Sequence, residues 1–212
     1  MVRCTFSPAR AWRPAAGGPL ARTLGLMTDT LSLPQALQIA EELGNRLHGL
    51  RLPNDRRSRV AFACFAVAQQ HHSAILILLN LENPLQATAF ALLRPTLEAT
   101  LRGEWVLHCA TDQEVKTFAL GGEKQVSMSK VVRKLEEAGP AADSHRILYK
   151  ALWPILSAYT HTYEHQVQHW LSPDGVAPNY SAEQVAWVIT NSTACLALCV
   201  SSVKSLAVAD EA

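Results

Sequence analysis

The stretch Pro84–Ala110, PLQATAFALLRPTLEATLRGEWVLHCA, decides how the rest of the chain is read. Its apolar residues recur at helical spacing, and Arg94, Glu98 and Arg102 fall every four residues. At about 100° per residue these three charges share one side of a helix. Phe90, Leu97, Leu101 and Trp105 lie on or beside that side, whereas Thr88, Pro95, Thr96, Ala99, Thr100 and Gly103 make a compact opposite side. A helix facing solvent keeps its charges away from its leucines. This one mixes them, so the charges must pair internally or face a ligand that needs them, because an unpaired buried charge is too costly. Two readings of the ladder stand. In one it is a pair of i,i+4 ion pairs locking a buried helix. In the other Glu98 orients an arginine toward a phosphate or carboxylate.

Outward from this segment, helical signals continue. Pro34 to about Leu50 carries Leu37, Ile39, Ala40, Leu43 and Leu47 at helical spacing. Asn54 or Asp55 can cap a second helix, Arg56–Glu82, which starts basic and is then apolar on nearly every side, as suits the middle of a bundle. Asp112–Leu120 and Glu123–Ala138 read as two further helices, the second amphipathic and exposed. A long helix over Ala142–Leu171, bent near Pro154, and a last one from Ser181 to about Val208 complete the set. Strand alternation and hairpin turns are nearly absent. The fold class is therefore all-α, a bundle of five to seven helices in one domain spanning residues 31–212. Residues 1–30 read as a disordered N-terminal extension, since residues 1–26 hold Arg3, Arg10, Arg13 and Arg22 with no acid and no sustained helical period.

Totals narrow the partners. The 212 residues are 49% hydrophobic and only 17% charged, which points to surface buried in a homodimer. A net charge of +1 creates no global field toward nucleic acid or lipid. Val185–Val203 is free of charge, but Thr190, Asn191, Ser192, Thr193, Ser201 and Ser202 interrupt it, so a buried bundle helix is expected and no membrane span. The five cysteines, Cys4, Cys64, Cys109, Cys195 and Cys199, form no CxxC pair and read as reduced thiols of a cytoplasmic protein.

Histidines supply the remaining chemistry. His161, His165 and His169 fall every four residues within YTHTYEHQVQHW, giving one imidazole-rich helix face. An i,i+4 histidine pair can chelate a transition metal, but no Asp, Glu or Cys sits at a third-ligand spacing, so neither metal nor cofactor is expected. A single buried histidine serving as proton carrier or hydrogen-bond anchor fits better. If the long third and penultimate helices pack antiparallel, His161 approaches Arg94 and Glu98. On the second helix, His72 reads as a core histidine satisfied by Glu98 or Asn80. Phosphate loops, dinucleotide fingerprints, zinc ribbons and GxSxG elbows are missing from the sequence, which removes most common enzyme classes.

Three segments carry a resemblance: Arg59–Leu79, Ala87–Trp105 with its AxxLLRPxxEAxxRGxW pattern, and Ser157–His169 opening on SxYTH. Together they resemble an uncharacterised group of bacterial helical proteins related to the HEPN (higher eukaryotes and prokaryotes nucleotide-binding) superfamily. The resemblance implies a bundle that often dimerises. Through that superfamily it implies a nucleotide-binding protein or a metal-independent ribonuclease of toxin or phage-defence type, with RNA or a nucleotide as partner. The superfamily's Arg-to-His spacing falls on Arg102 and His108, with His161 as another catalytic candidate. The imidazole would take the proton of a ribose 2′-hydroxyl and the guanidinium would stabilise the phosphate. Arg94, Glu98, His72 and His165 make up the expected binding set. The alternative is a non-catalytic interaction or small-ligand-binding module in which the same residues are a structural polar network.

Overall fold

The computed structural model describes residues 30–121, 126–138, 142–161, 164–172 and 175–207. Nearly all of the N-terminal extension read from the sequence lies outside them. The described chain forms α1 (Leu33–Asn45), α2 (Arg56–Leu79), α3 (Gln86–His108), α4 (Asp112–Ala119), α5 (Met128–Glu137), α6 (Ala142–Thr160), α7 (Glu164–Gln168) and α8 (Ala182–Leu206). A minimal antiparallel hairpin, β1 (Leu171–Ser172) with β2 (Gly175–Val176), separates α7 from α8. The architecture is all-α, as expected. Eight helical segments are described, one more than the upper bound of five to seven, because the expected Ala142–Leu171 helix is divided into α6 and α7.

Local chemistry sets the starts of the helices. Asp55 caps α2 by accepting the Ser58 N–H at 3.0 Å and the Ser58 hydroxyl at 2.6 Å. Ser181 and Gln184 form a capping box at the start of α8, and Thr111 and Glu114 form one on α4. Pro95 sits inside α3 and supplies no N–H to the Ala91 carbonyl one turn earlier. The Thr160 hydroxyl on α6 stands between that carbonyl at 3.3 Å and its own helix's Leu156 carbonyl at 2.9 Å.

α3 is the central helix, packed against α2, α8, α6 and α5. Its compact side is where the bundle closes. Thr96 and Thr100 are buried and return their hydroxyls to the Leu92 and Thr96 carbonyls. Gly103 lets α2 approach so closely that a Cβ there would meet the buried ring of Phe65. α8 is the most apolar interior helix, and four of its polar interruptions donate within it, although Asn191 Oδ1 is buried with no partner among the described residues. Thr190, Asn191, Ser192 and Thr193 donate to the Ala186, Trp187, Ile189 and Ile189 carbonyls at 2.7, 2.7, 3.0 and 2.8 Å. This is the buried bundle helix that the sequence suggested.

α2 departs from its expected place in the middle of the bundle. Its inner side is sealed by α3 and α8, but Phe62, Val67 and Ile77 remain exposed on the outside. Apolar composition on all sides told how greasy the helix is, not how many of its sides have neighbours.

Candidate functional site: a groove beside the Arg–Glu–Arg ladder

The ladder on α3 splits into two unlike halves. Arg102 gives both Nε and Nη2 to Glu98 Oε1, at 3.0 and 2.9 Å, and Nη1 to the Val126 carbonyl at 3.1 Å. Its guanidinium carbon also stands 5.5 Å from the centre of the Phe118 ring. The side chains of Arg102 and Glu98 keep 14% and 33% of their exposure, so this pair is a partly desolvated lock. Arg94 turns the other way. It lies 4.5 Å over the Trp153 ring and places Nη1 2.7 Å from His161 Nε2. Guanidinium only donates, so His161 Nε2 must accept and the imidazole carries its proton on Nδ1. The expected approach of His161 to Arg94 is thus present, and Glu98 is committed elsewhere.

A groove of about 870 Å³ opens beside the Arg102–Glu98 pair, between α2, α3 and α4. Its walls are Val60, Ala63, Val67, Pro95, Ala99 and Phe118, and its mouth carries Arg56 and Arg59. Neither of those arginines pairs with a described residue. Cys64 also lines the groove, and burial pushes its thiol up to about 11 against the pull of Arg102. A thiol held protonated in this way is a poor nucleophile. Arg57, between the two mouth arginines in sequence, has a different job. It caps the end of α3 by donating to the Val106 and Ala110 carbonyls at 2.6 and 2.7 Å, and it reaches Asp112 at 2.6 Å.

The remaining candidate residues are dispersed. His108 is paired through Nε2 with Glu104 at 3.5 Å and is half exposed. That hydrogen bond raises the His108 pKa against the effect of its partial burial. Glu104 is buried and its other oxygen accepts the Ser202 hydroxyl. Arg102 and His108 therefore have separate partners, Glu98 with Val126 on one side and Glu104 on the other. His72 is fully buried and meets neither Glu98 nor Asn80. Its Nδ1 lies 3.1 Å from Ser192 Oγ on α8. The Ser192 proton goes to the Ile189 carbonyl, so Nδ1 donates and Nε2 keeps a lone pair with no partner among the described residues. Burial lowers the His72 pKa to about 4.

The single imidazole-rich face is not formed, because α6 ends at Thr160 and α7 starts at Glu164. His165 is half-buried with its ring 6.4 Å from Tyr159. His169 stacks between Tyr159 and Tyr180, at 5.8 and 4.5 Å, and lies 3.1 Å through Nδ1 from the Asn179 carbonyl. Among the described residues no three His, Cys, Asp or Glu side chains converge on a metal site.

Arg56, Arg59, Phe118 and Glu104 were not singled out from the sequence. The basic start of α2 was visible, but only the fold shows that Arg57 is consumed at a helix end while its neighbours border a groove.

No curated protein and no solved structure matches the chain. Residues 65–212 do match one family model, from the middle of α2 through α8 and on to the last residue. On that match the chain belongs to DUF6988, a family of unknown function.

Proposed function

We propose that this protein is a non-catalytic helical binding module whose α2–α3–α4 groove takes a small amphiphilic anion. The observation that carries the reading is the chemistry of the groove. Its walls are mostly apolar, its internal ion pair is already neutralised, and Arg56 and Arg59 at its mouth pair with no described residue. A volume of about 870 Å³ suits a small organic ligand. An apolar body would lie on Val60, Val67 and Phe118, with its carboxylate or phosphate toward Arg56. The Arg102–Glu98 lock would hold the wall in shape.

Titration of the purified chain with dodecanoate tests this by calorimetry. One equivalent binds with release of heat. Ala119→Trp, which fills the mouth from α4, abolishes binding, and Arg56→Gln weakens it by about tenfold. Unchanged binding in both variants refutes the assignment.

A second reading, HEPN-like RNA cleavage in a toxin or defence setting, is favoured by one contact. The Arg94 guanidinium and an exposed His161 imidazole meet at 2.7 Å beside Trp153. Release of Nε2 from Arg94 would free its lone pair as a base for the 2′-hydroxyl and leave the guanidinium as a cation for the phosphate. Cleavage of single-stranded RNA without added metal, lost in His161→Ala, supports it. Equal cleavage by both proteins marks contamination and ends it.

A further inference from the structure

α2 is apolar enough to be an interior helix, yet its most apolar stretch is only 33% buried, against 72% for α8. The uncovered side runs through Arg59, Ala63, Ala66, Val67, Gln70, Ser73, Ala74 and Ile77, at alternating short helical steps. Phe62 flanks it, and Leu81 extends it just past the helix end. Val67, Ile77 and Leu81 are 45%, 61% and 44% exposed. Between the large residues stand Ala63, Ala66 and Ala74, small enough for another helix backbone to come close.

The polar residues on this line are placed with a sense of direction. Arg59 is at the start and Glu82 is beyond the end, and neither forms an ion pair with a described residue. Gln70 lies midway between them. A lipid surface is suited by cations along both borders of an apolar face. This face is basic at one end and acidic at the other, which is the arrangement that complements its own inverted copy.

We propose that α2 pairs antiparallel with α2 of a second copy of this chain, about a two-fold axis at Gln70. In that register Ala63 faces Ile77 of the second copy. Arg59 reaches Glu82 of the second copy at both ends, which leaves Arg56 to the groove. The two Gln70 amides meet at the axis, where each can donate to and accept from the other. A central amide pair fixes register, as a buried polar residue does in coiled coils. Ala63 and Val67 also line the groove, so the second copy becomes its outer wall. The pairing stands on the α2 surface alone and does not depend on the identity of the groove's ligand.

Engineered cysteines read the register directly. Under mild oxidation, Gln70→Cys forms a covalent dimer that wild type does not. Ala63→Cys and Ile77→Cys cross-link efficiently when mixed and poorly when each is alone. Ile77→Glu is monomeric by light scattering and keeps the circular dichroism spectrum of the folded chain, since Ile77 touches solvent in the single chain, and it loses the concentration dependence of the wild-type melting temperature. Three results overturn the proposal. They are a wild type that stays monomeric at high micromolar concentration, self-cross-linking of Ala63→Cys with none at Gln70→Cys, and monomeric wild type recruited to phosphatidylglycerol vesicles.

Discussion

Replacing Gly103 with alanine is the sharpest probe of how α2 and α3 meet. In an ordinary helix interior this change stabilises by about 1 kcal/mol, because glycine is a poor helix former. Here the added Cβ would stand 2.6 Å from Cδ1 and 2.8 Å from Cζ of Phe65, and closer still to Cε1. Ordinary contact begins near 3.4 Å. The Phe65 ring is 2% exposed, so it cannot swing aside into solvent. Overpacking of a filled core costs about 1–3 kcal/mol. With three ring atoms inside 3.0 Å the strain falls in the upper part of that range, about 2–3 kcal/mol, so after the propensity gain Gly103→Ala is expected to destabilise by about 1–2 kcal/mol. For a chain of this size that is a fall in Tm of about 2–8 °C. Urea and thermal unfolding followed by circular dichroism measure it. The decisive comparison is a double-mutant cycle. In a Phe65→Leu background the same alanine becomes neutral or stabilising, because the ring edge it strikes is gone. A Tm that rises on Gly103→Ala in the otherwise wild-type chain refutes the argument for a helix crossing set by this glycine.

Two histidines give opposite pH signatures. His72 is buried neutral with its pKa lowered to about 4, so the unfolded chain takes up a proton that the folded chain refuses. Its contribution is complete above the ordinary value of 6.5 and is lost as pH falls toward 4, a total of about 3 kcal/mol. Urea unfolding at several pH values in that window should show a shallower slope in His72→Met than in wild type, and identical slopes would contradict the assignment. His108 has a raised pKa, so its stabilisation is complete below 6.5 and disappears as pH climbs through the raised value. His108→Gln should remove that alkaline decline while leaving the acid limb unchanged. Unfolding curves from pH 6 to 8 check it, and a decline that persists in the variant assigns it to another group.

The sequence disclosed the parts of this fold that depend on neighbours along the chain. The caps at Asp55 and Ser181 and the burial of α8 follow from short-range chemistry and from the length of the apolar run. The partners of buried groups across the bundle were not legible in the same way. Helical period placed Arg94, Glu98 and Arg102 on one side, and antiparallel packing of the later helix brought His161 toward Arg94, but neither could say that Arg94 would leave Glu98 and lie over Trp153. Nor could it show that His72 would find Ser192, which is 120 residues away. The spacing of His161, His165 and His169 promised a common face, and the end of α6 at Thr160 removed it. The groove was least visible of all, since its walls are ordinary alanines and valines that only the relative position of three helices turns into a concavity.

Arg57 has a mechanical consequence. α2 and α3 are joined by a short turn at one end, and at the other Arg57 bridges the first turn of α2 to the Val106 and Ala110 carbonyls. A hairpin fastened at both extremities cannot scissor. It can only bow along its length, so the cleft beside it widens by flexure of its middle and not by the two long rods swinging apart.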